Sequence, residues 1–133
     1  MSRSVSKRAL CVAGVANITA LFAFGPLLVT AEDLPDPLAA GWNGEQVCKL
    51  LHEDAHQRIL RCTFPPGVGH EKHFHKAHFG YVIAGGKMRI LDDSGVREVD
   101  LLANYSWTSD GVNWHKVLNV GKTTSVYLIV ESF

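Results

Sequence analysis

A net charge is the first thing this chain of 133 residues lacks, because its 13 basic and 13 acidic residues cancel. Without a basic excess, the sequence offers no electrostatic footprint for nucleic acid, which is therefore not expected as a partner. Hydrophobic residues make up 47 % of the chain, which is enough apolar material for a buried core. The length predicts a single domain.

Acidic residues are missing altogether from the first 31 positions, which carry three basic residues, the last of them Arg8. The rest of the chain, 32–133, holds 10 basic and 13 acidic residues and has a net charge of −3. No charge occurs between Arg8 and Glu32, and Val29-Thr30-Ala31 places small residues where a signal peptidase reads. Residues 1–31 are therefore predicted to be a cleaved signal peptide, which implies a periplasmic or secreted mature protein.

A retained membrane anchor is the alternative for the same segment. The uncharged run over 9–31 is long enough to span a bilayer, although Asn17, Thr19 and Gly25-Pro26 weaken a spanning helix. The membrane is a partner only if this segment is retained.

Sustained helical periodicity is missing after Ala31, and internal repeats and low-complexity stretches are missing as well. Short apolar runs alternate with turn residues at close spacing, which predicts an all-β domain over 46–133. The segment 32–45 contains two prolines and Gly41 and is predicted to be an irregular arm. The predicted strands cover 46–52, 57–64, 71–75, 79–84, 87–91, 96–101, 113–120 and 124–131.

Cysteines are few. Cys11 falls in the predicted leader, residues 1–31. Cys48 and Cys62 lie at equal distances on either side of Ala55, the centre of a predicted hairpin turn. The two cysteines should therefore face each other across adjacent strands. A disulfide, which an oxidising compartment favours, and two buried free thiols both remain open. By the period of two, one face of this hairpin holds Cys48, Leu50, Leu60, Cys62 and Phe64, and Lys49 and Arg61 belong to the solvated face.

Histidine is the residue that carries the chemistry, because all seven histidines follow the leader and four of them lie within 70–78. His73 and His75 are two apart, so a strand would project both imidazoles from one face. His115, which shares a face with Val117, is the candidate for a third ligand from another strand. Imidazole suits Zn, Cu, Fe and Ni, and such a divalent transition metal is the expected cofactor. The simpler alternative is a set of surface or hydrogen-bonded polar histidines.

Two motifs resemble those of the cupin family. Pro66-Gly67, followed after five residues by His73-Phe74-His75 and then by the segment 81–86, YVIAGG, resembles the first cupin motif. His115, with Asn119 four residues later, resembles the end of the second motif. The resemblance covers 46–131 and implies a double-stranded β-helix, the jelly-roll barrel of cupins, with a metal held by His73, His75 and His115. It also implies a possible homodimer.

The first motif departs from the family pattern at the position of its Glu ligand. Strict spacing places Phe79 or Gly80 there, and neither side chain can bind a metal. Alignment on Tyr81 instead places His78 at that position, so His78 is either a fourth metal ligand or a loop histidine outside the site. The loop before His115 is also unusual, with Asn104, Asp110 and Val112 where the second motif has Gly, Pro and Gly.

The remaining histidines and large aromatics receive simpler predictions. His52 and His56 flank a turn and should be solvated. His70 and Glu71 precede the ligand strand and could line the mouth of the site. Three aromatic residues either wall a pocket or fill the core, namely Tyr105, Trp107 and Trp114.

Two functions from different classes follow from these residues and from the resemblance. The first is a metal-dependent enzyme acting on a small molecule, with oxygen-dependent cleavage as the first reaction class and isomerase or lyase chemistry as alternatives. The second is a non-catalytic periplasmic protein that binds a metal or a small ligand, because four histidines can close the coordination shell. The number of open coordination positions separates the two.

The leader generates the first testable prediction. Protein recovered from the periplasm should begin at Glu32, because cleavage follows Val29-Thr30-Ala31. Intact mass spectrometry measures this directly. A mass that still includes residues 1–31 would show that the segment is an anchor.

Overall fold

A computed structural model describes residues 34–133, so the predicted leader and its cleavage site lie outside the described residues. Among residues 34–133, no helix is long and apolar enough to cross a membrane. This described part of the chain contains eleven strands: β1 (Gly41–Trp42), β2 (Glu45–Gln46), β3 (Cys48–Glu53), β4 (Gln57–Phe64), β5 (Gly69–His75), β6 (His78–Ala84), β7 (Gly86–Asp92), β8 (Gly95–Leu101), β9 (Ser106–Ser109), β10 (Val112–Asn119) and β11 (Ser125–Ser132).

Two antiparallel sheets form the barrel. One has five strands in the order β3-β4-β11-β6-β9, and the other has four strands in the order β5-β10-β7-β8. The predicted all-β double-stranded β-helix is confirmed. Alternate residues of each strand point into the barrel, as the period of two requires. Leu60, Phe64 and Ile129 from the larger sheet are buried in one core cluster with Met88 and Val117 from the smaller sheet.

All eight predicted strands are present, and β4 has the predicted bounds. The bounds of the other seven differ by one or two residues. β9 was not predicted, because Ser-Trp-Thr-Ser has neither an apolar run nor a clean alternation. This strand lies at the edge of the five-stranded sheet, and it is stabilised by its pairing with β6 rather than by its own strand propensity.

The predicted irregular arm over 32–45 needs a correction in its second half. β1 and β2 form a short hairpin in which Trp42 pairs with Glu45 across Asn43 and Gly44. Asn43 has a φ of 52° and Gly44 a φ of 86°, so both turn residues adopt the left-handed conformation. Asn-Gly is the dipeptide that favours such a two-residue hairpin loop, and it is the signal that the sequence prediction missed.

The hairpin of β3 and β4 has the predicted register. Cys48 pairs with Cys62, and the two residues form a disulfide. Leu50 pairs with Leu60 and so shares the predicted face, but it is 47 % exposed rather than buried. β3 is an edge strand, and Cys48 is the one buried residue among its six.

The disulfide gives a prediction about stability. Replacing both Cys48 and Cys62 with Ala should lower the free energy of unfolding by roughly 3 kcal/mol, because the unfolded chain loses a closed loop of about fifteen residues. Urea unfolding of the two proteins, with the parent kept oxidised, measures the difference. Equal midpoints, or two titratable thiols in the exported parent, would contradict the prediction.

Candidate metal centre

Three imidazoles meet on the inner face of the four-stranded sheet. His73 and His75 project inward from β5, and His115 on β10 is the register partner of His73. The Nε2 atom of His73 lies 3.0 Å from Nε2 of His75 and 3.0 Å from Nε2 of His115. One nitrogen from each ring falls within a group of atoms no more than 4.8 Å apart. The structure thus brings together the three residues predicted to be ligands, and the triad is positioned to bind a metal.

Hydrogen bonds on the far side of two rings assign their protons. Nδ1 of His73 donates to the carbonyl oxygen of Glu71 at 2.6 Å, and Nδ1 of His75 donates to Oε1 of Glu131 at 3.1 Å. In a neutral ring the other nitrogen, Nε2, then carries only a lone pair. Two such lone pairs cannot hydrogen bond to each other, yet a cation between them would be coordinated by both. The donor set therefore fits a transition metal.

Burial keeps two members of the triad, His73 and His115, in the neutral form that a metal requires. Desolvation, together with the neighbouring His75 and His70, lowers the pKa of His115 to about 3. Desolvation also places the pKa of His73 far below its usual value, with His70 and His115 as additional causes. These two imidazoles are uncharged at neutral pH, so a metal would not have to displace protons from them.

His78 reaches the same space from the opposite sheet. It lies on β6, is buried and shares the inward face with Val82, as predicted. Its ring centroid is 4.8 Å from that of His75. Nδ1 donates to the carbonyl oxygen of Lys76 at 2.8 Å, and Nε2 accepts a hydrogen bond from Nε1 of Trp107 at 3.4 Å. His78 is thus adjacent to the triad but outside its close group of nitrogens, with its lone pair directed at an indole.

His70 lines the same interior space as the triad, but it is buried there rather than at the mouth of the site, where the sequence predicted it. Its ring is buried against His73, with the centroids 3.8 Å apart, and its Nε2 donates to the carbonyl oxygen of Ala40 at 3.3 Å. Burial lowers the pKa of His70 to about 4. Its inward direction comes from a bulge, because four residues of β5, from His70 to His73, face only three residues of β10, from His115 to Val117. His52 and His56 are exposed, as predicted.

The sequence prediction missed a buried carboxylate, Glu131, and the buried arginine paired with it, Arg58. Glu131 on β11 is fully buried, and its Oε2 accepts from Nε of Arg58 at 2.5 Å. Burial alone would raise the pKa of Glu131, but hydrogen bonds from His75 and Arg58 outweigh it and lower the pKa below the usual value. The available signal was parity, because Glu131 shares the inward face of an apolar strand with Tyr127 and Ile129.

A cavity of about 850 Å³ opens beside the triad. Its walls are mostly apolar and include Met88, Ile90, Val99 and Ile129. These side chains belong to both sheets, so the cavity is the interior of the barrel.

Two of the three predicted pocket aromatics also line this cavity. Tyr105 and Trp107 stack with their ring centroids 6.2 Å apart. Trp107 lies flat on Gly80, where any Cβ would approach the indole to 2.1 Å. Trp114 lies elsewhere, with its Nε1 donating to Asp93 and Lys72 placed over its ring.

Comparison by sequence gives no relative, because no family model and no curated protein matches the chain. Comparison of structures gives several. A cupin domain from Bordetella pertussis Tohama I is 19 % identical with a TM-score of 0.62, covering 65 % of this chain and 92 % of its own. The polyketide cyclase RemF from Streptomyces resistomycificus is 19 % identical with a TM-score of 0.53, covering 64 % of this chain and 63 % of its own. A protein with a double-stranded β-helix domain from Klebsiella pneumoniae is 18 % identical with a TM-score of 0.51, covering 66 % and 76 %.

These likenesses agree with the two antiparallel sheets. The chain has the double-stranded β-helix fold of cupin domains.

Proposed function

We propose that this protein is a metal-binding cupin that holds a divalent transition metal through His73, His75 and His115 and acts on a small molecule in the adjoining cavity. The observation that carries the proposal is the convergence of three Nε2 atoms at the wall of an apolar cavity. Imidazole nitrogens suit Zn, Cu, Fe and Ni, and the donor set does not select among these metals.

Three protein ligands from one sheet would leave coordination positions free toward the cavity, which is the arrangement of catalytic rather than structural metal sites. A bound metal of this kind can activate oxygen or water, or polarise a carbonyl group. The chain itself keeps His73 and His115 neutral through burial, and it orients His73 through Glu71 and His75 through Glu131.

The size and lining of the cavity support a proposal for the class of substrate. Its volume of about 850 Å³ lies in the range of sites that enclose small organic molecules. The walls are apolar, and the stacked pair of Tyr105 and Trp107 offers a flat aromatic surface. We therefore propose a largely apolar organic substrate, with oxygen-dependent cleavage as the first reaction class and isomerase or lyase chemistry as alternatives.

A second candidate is a non-catalytic protein that binds a metal or a small ligand. Glu131 is the carboxylate that touches the triad within residues 34–133, and both of its oxygens are engaged, one by His75 and one by Arg58. It therefore cannot serve as a free general base. If His78 turned from Trp107 to the metal, four histidines would fill a tetrahedral shell.

The compartment remains a proposal that two observations support. The basic, acid-free start of the chain favours export, and a disulfide is a bond that oxidising compartments maintain. A homodimer stays a prediction.

The metal site gives a direct prediction. His73→Ala, His75→Ala and His115→Ala should each weaken the binding of Zn²⁺ by more than about 100-fold, because each removes a direct ligand rather than an outer contact. Competition with a chromophoric chelator measures the affinity. His56→Ala is the matched control, since His56 is exposed and distant from the triad, and it should bind as the parent does. Equal affinity in the triad variants and the control would refute the site.

His78 requires a test of its own. As a fourth ligand it would have to leave the Trp107 indole, so His78→Ala should weaken Zn²⁺ binding beyond the roughly 10- to 100-fold of an outer-shell change. His78→Glu should restore binding and shift the preference toward harder ions. Trp107→Phe removes the competing hydrogen bond of about 1 kcal/mol and should tighten binding a few-fold. Parental affinity in His78→Ala would instead establish a three-ligand site with open positions.

A further inference from the structure

We propose that Asp36, Arg58 and Glu131 form a positioning relay that connects the N-terminal arm, residues 34–40, to His75 and holds its imidazole in the ligating orientation. This inference rests on the proposed metal site, because the orientation concerned is the one that turns Nε2 of His75 toward the metal.

Glu131 is the member of the relay that contacts His75, and both of its carboxylate oxygens are held in place. Glu131 is fully buried, and its two oxygens are divided between His75 on Oε1 and Arg58 on Oε2. A buried charge that loses its partner is strongly destabilising, so Arg58 is required for the carboxylate to stay where His75 needs it. Arg58 and Glu131 are also register partners on β4 and β11, which fixes the distance between their backbones.

Arg58 also binds a second carboxylate, that of Asp36. Its Nε donates to Glu131, while its Nη1 donates to Oδ2 of Asp36 at 2.8 Å. The guanidinium is a rigid planar fork, so the two carboxylates are held in a fixed relation to each other. A lysine at this position would present a single point charge and could not bridge both in the same way.

Asp36 is itself anchored by the arm. Its Oδ1 accepts hydrogen bonds from the backbone N–H groups of Leu38 at 3.0 Å and Ala39 at 2.9 Å. The arm also contacts the ligand strand directly, because the backbone N–H of Phe74 donates to the carbonyl oxygen of Pro35 at 3.2 Å. The arm is therefore linked to His75 in two indirect ways. One link runs through Phe74, the residue before His75, and the other runs through Arg58 and Glu131.

His75 differs in this respect from His73 and His78. Nδ1 of His73 and Nδ1 of His78 donate to the carbonyl oxygens of Glu71 and Lys76, each two residues away on or beside the same strand. Local backbone thus orients those two rings. His75 instead depends on the side chain of Glu131 from the opposite sheet, so long-range structure can change its orientation.

The test combines two measurements on the full chain with Zn²⁺ alone as the probe. Long-range ¹H–¹⁵N spectra of histidine-labelled, metal-free protein report which ring nitrogen of His75 is protonated, and His73 serves as the internal reference. Chelator competition gives the Zn²⁺ affinity. The variants are Asp36→Asn, Arg58→Met, Arg58→Lys and Glu131→Leu. Arg89→Met is the matched control, because Arg89 makes a similar cross-strand pair with Glu98 on the exposed surface.

The relay predicts a graded result. Glu131→Leu and Arg58→Met should lose the uniform Nδ1–H form of His75, keep that of His73, and bind Zn²⁺ roughly 10- to 100-fold more weakly. Asp36→Asn should show the same changes to a smaller degree, and Arg58→Lys should recover part of the loss. Arg89→Met should match the parent.

Other outcomes overturn the inference or the proposed function separately. If Arg58→Met and Asp36→Asn leave the His75 signal and the Zn²⁺ affinity unchanged, the ion pairs only fasten the arm and the relay is wrong. If Arg58→Met also loses the His73 signal, it has unfolded, and Asp36→Asn then decides. If the parent fails to bind Zn²⁺, the proposed function fails, while the tautomer of His75 in the metal-free variants still decides the relay.

Discussion

The crowding of three imidazoles inside an apolar barrel is the constraint on which the rest of the site depends. Polar rings are costly to bury unless each nitrogen has a partner. The outer nitrogens of His73 and His75 have partners in Glu71 and Glu131, but the inner nitrogens face one another at 3.0 Å. A cation is the partner that satisfies several lone pairs at one point. The buried acid, the bulge on β5 and the docked arm all serve this arrangement.

The register of β5 against β10 brings the three imidazoles together. His73 and His115 face each other as a pair between β5 and β10, and the two-residue period adds His75 to the same face. The bulge then turns His70 inward as well, so its ring covers His73 from the side of the arm. A shift of one residue in the pairing of these strands would send the imidazoles to solvent. The fold and the site are therefore specified by the same pairing.

The sequence was sufficient for features that depend on local pattern. The eight apolar strands, the mirror positions of Cys48 and Cys62, and the shared inward face of His78 and Val82 all follow from alternation and turn residues. It was insufficient where tertiary contacts decide. β9 is held by pairing rather than by propensity, and Leu50 is exposed on a strand at the edge of its sheet. Glu131 and Arg58 are 73 positions apart, and no local pattern links them.

We propose that a metal occupies the point where the three Nε2 atoms converge. X-ray absorption spectroscopy on protein purified without chelators or added metal, together with elemental analysis, decides whether it does. We expect about one transition metal per chain with three or four nitrogen ligands, at roughly 2.0–2.1 Å if the metal is zinc. A first shell containing sulfur, a shell of oxygen atoms alone, or protein that contains no metal and fails to take up Zn²⁺ would contradict it.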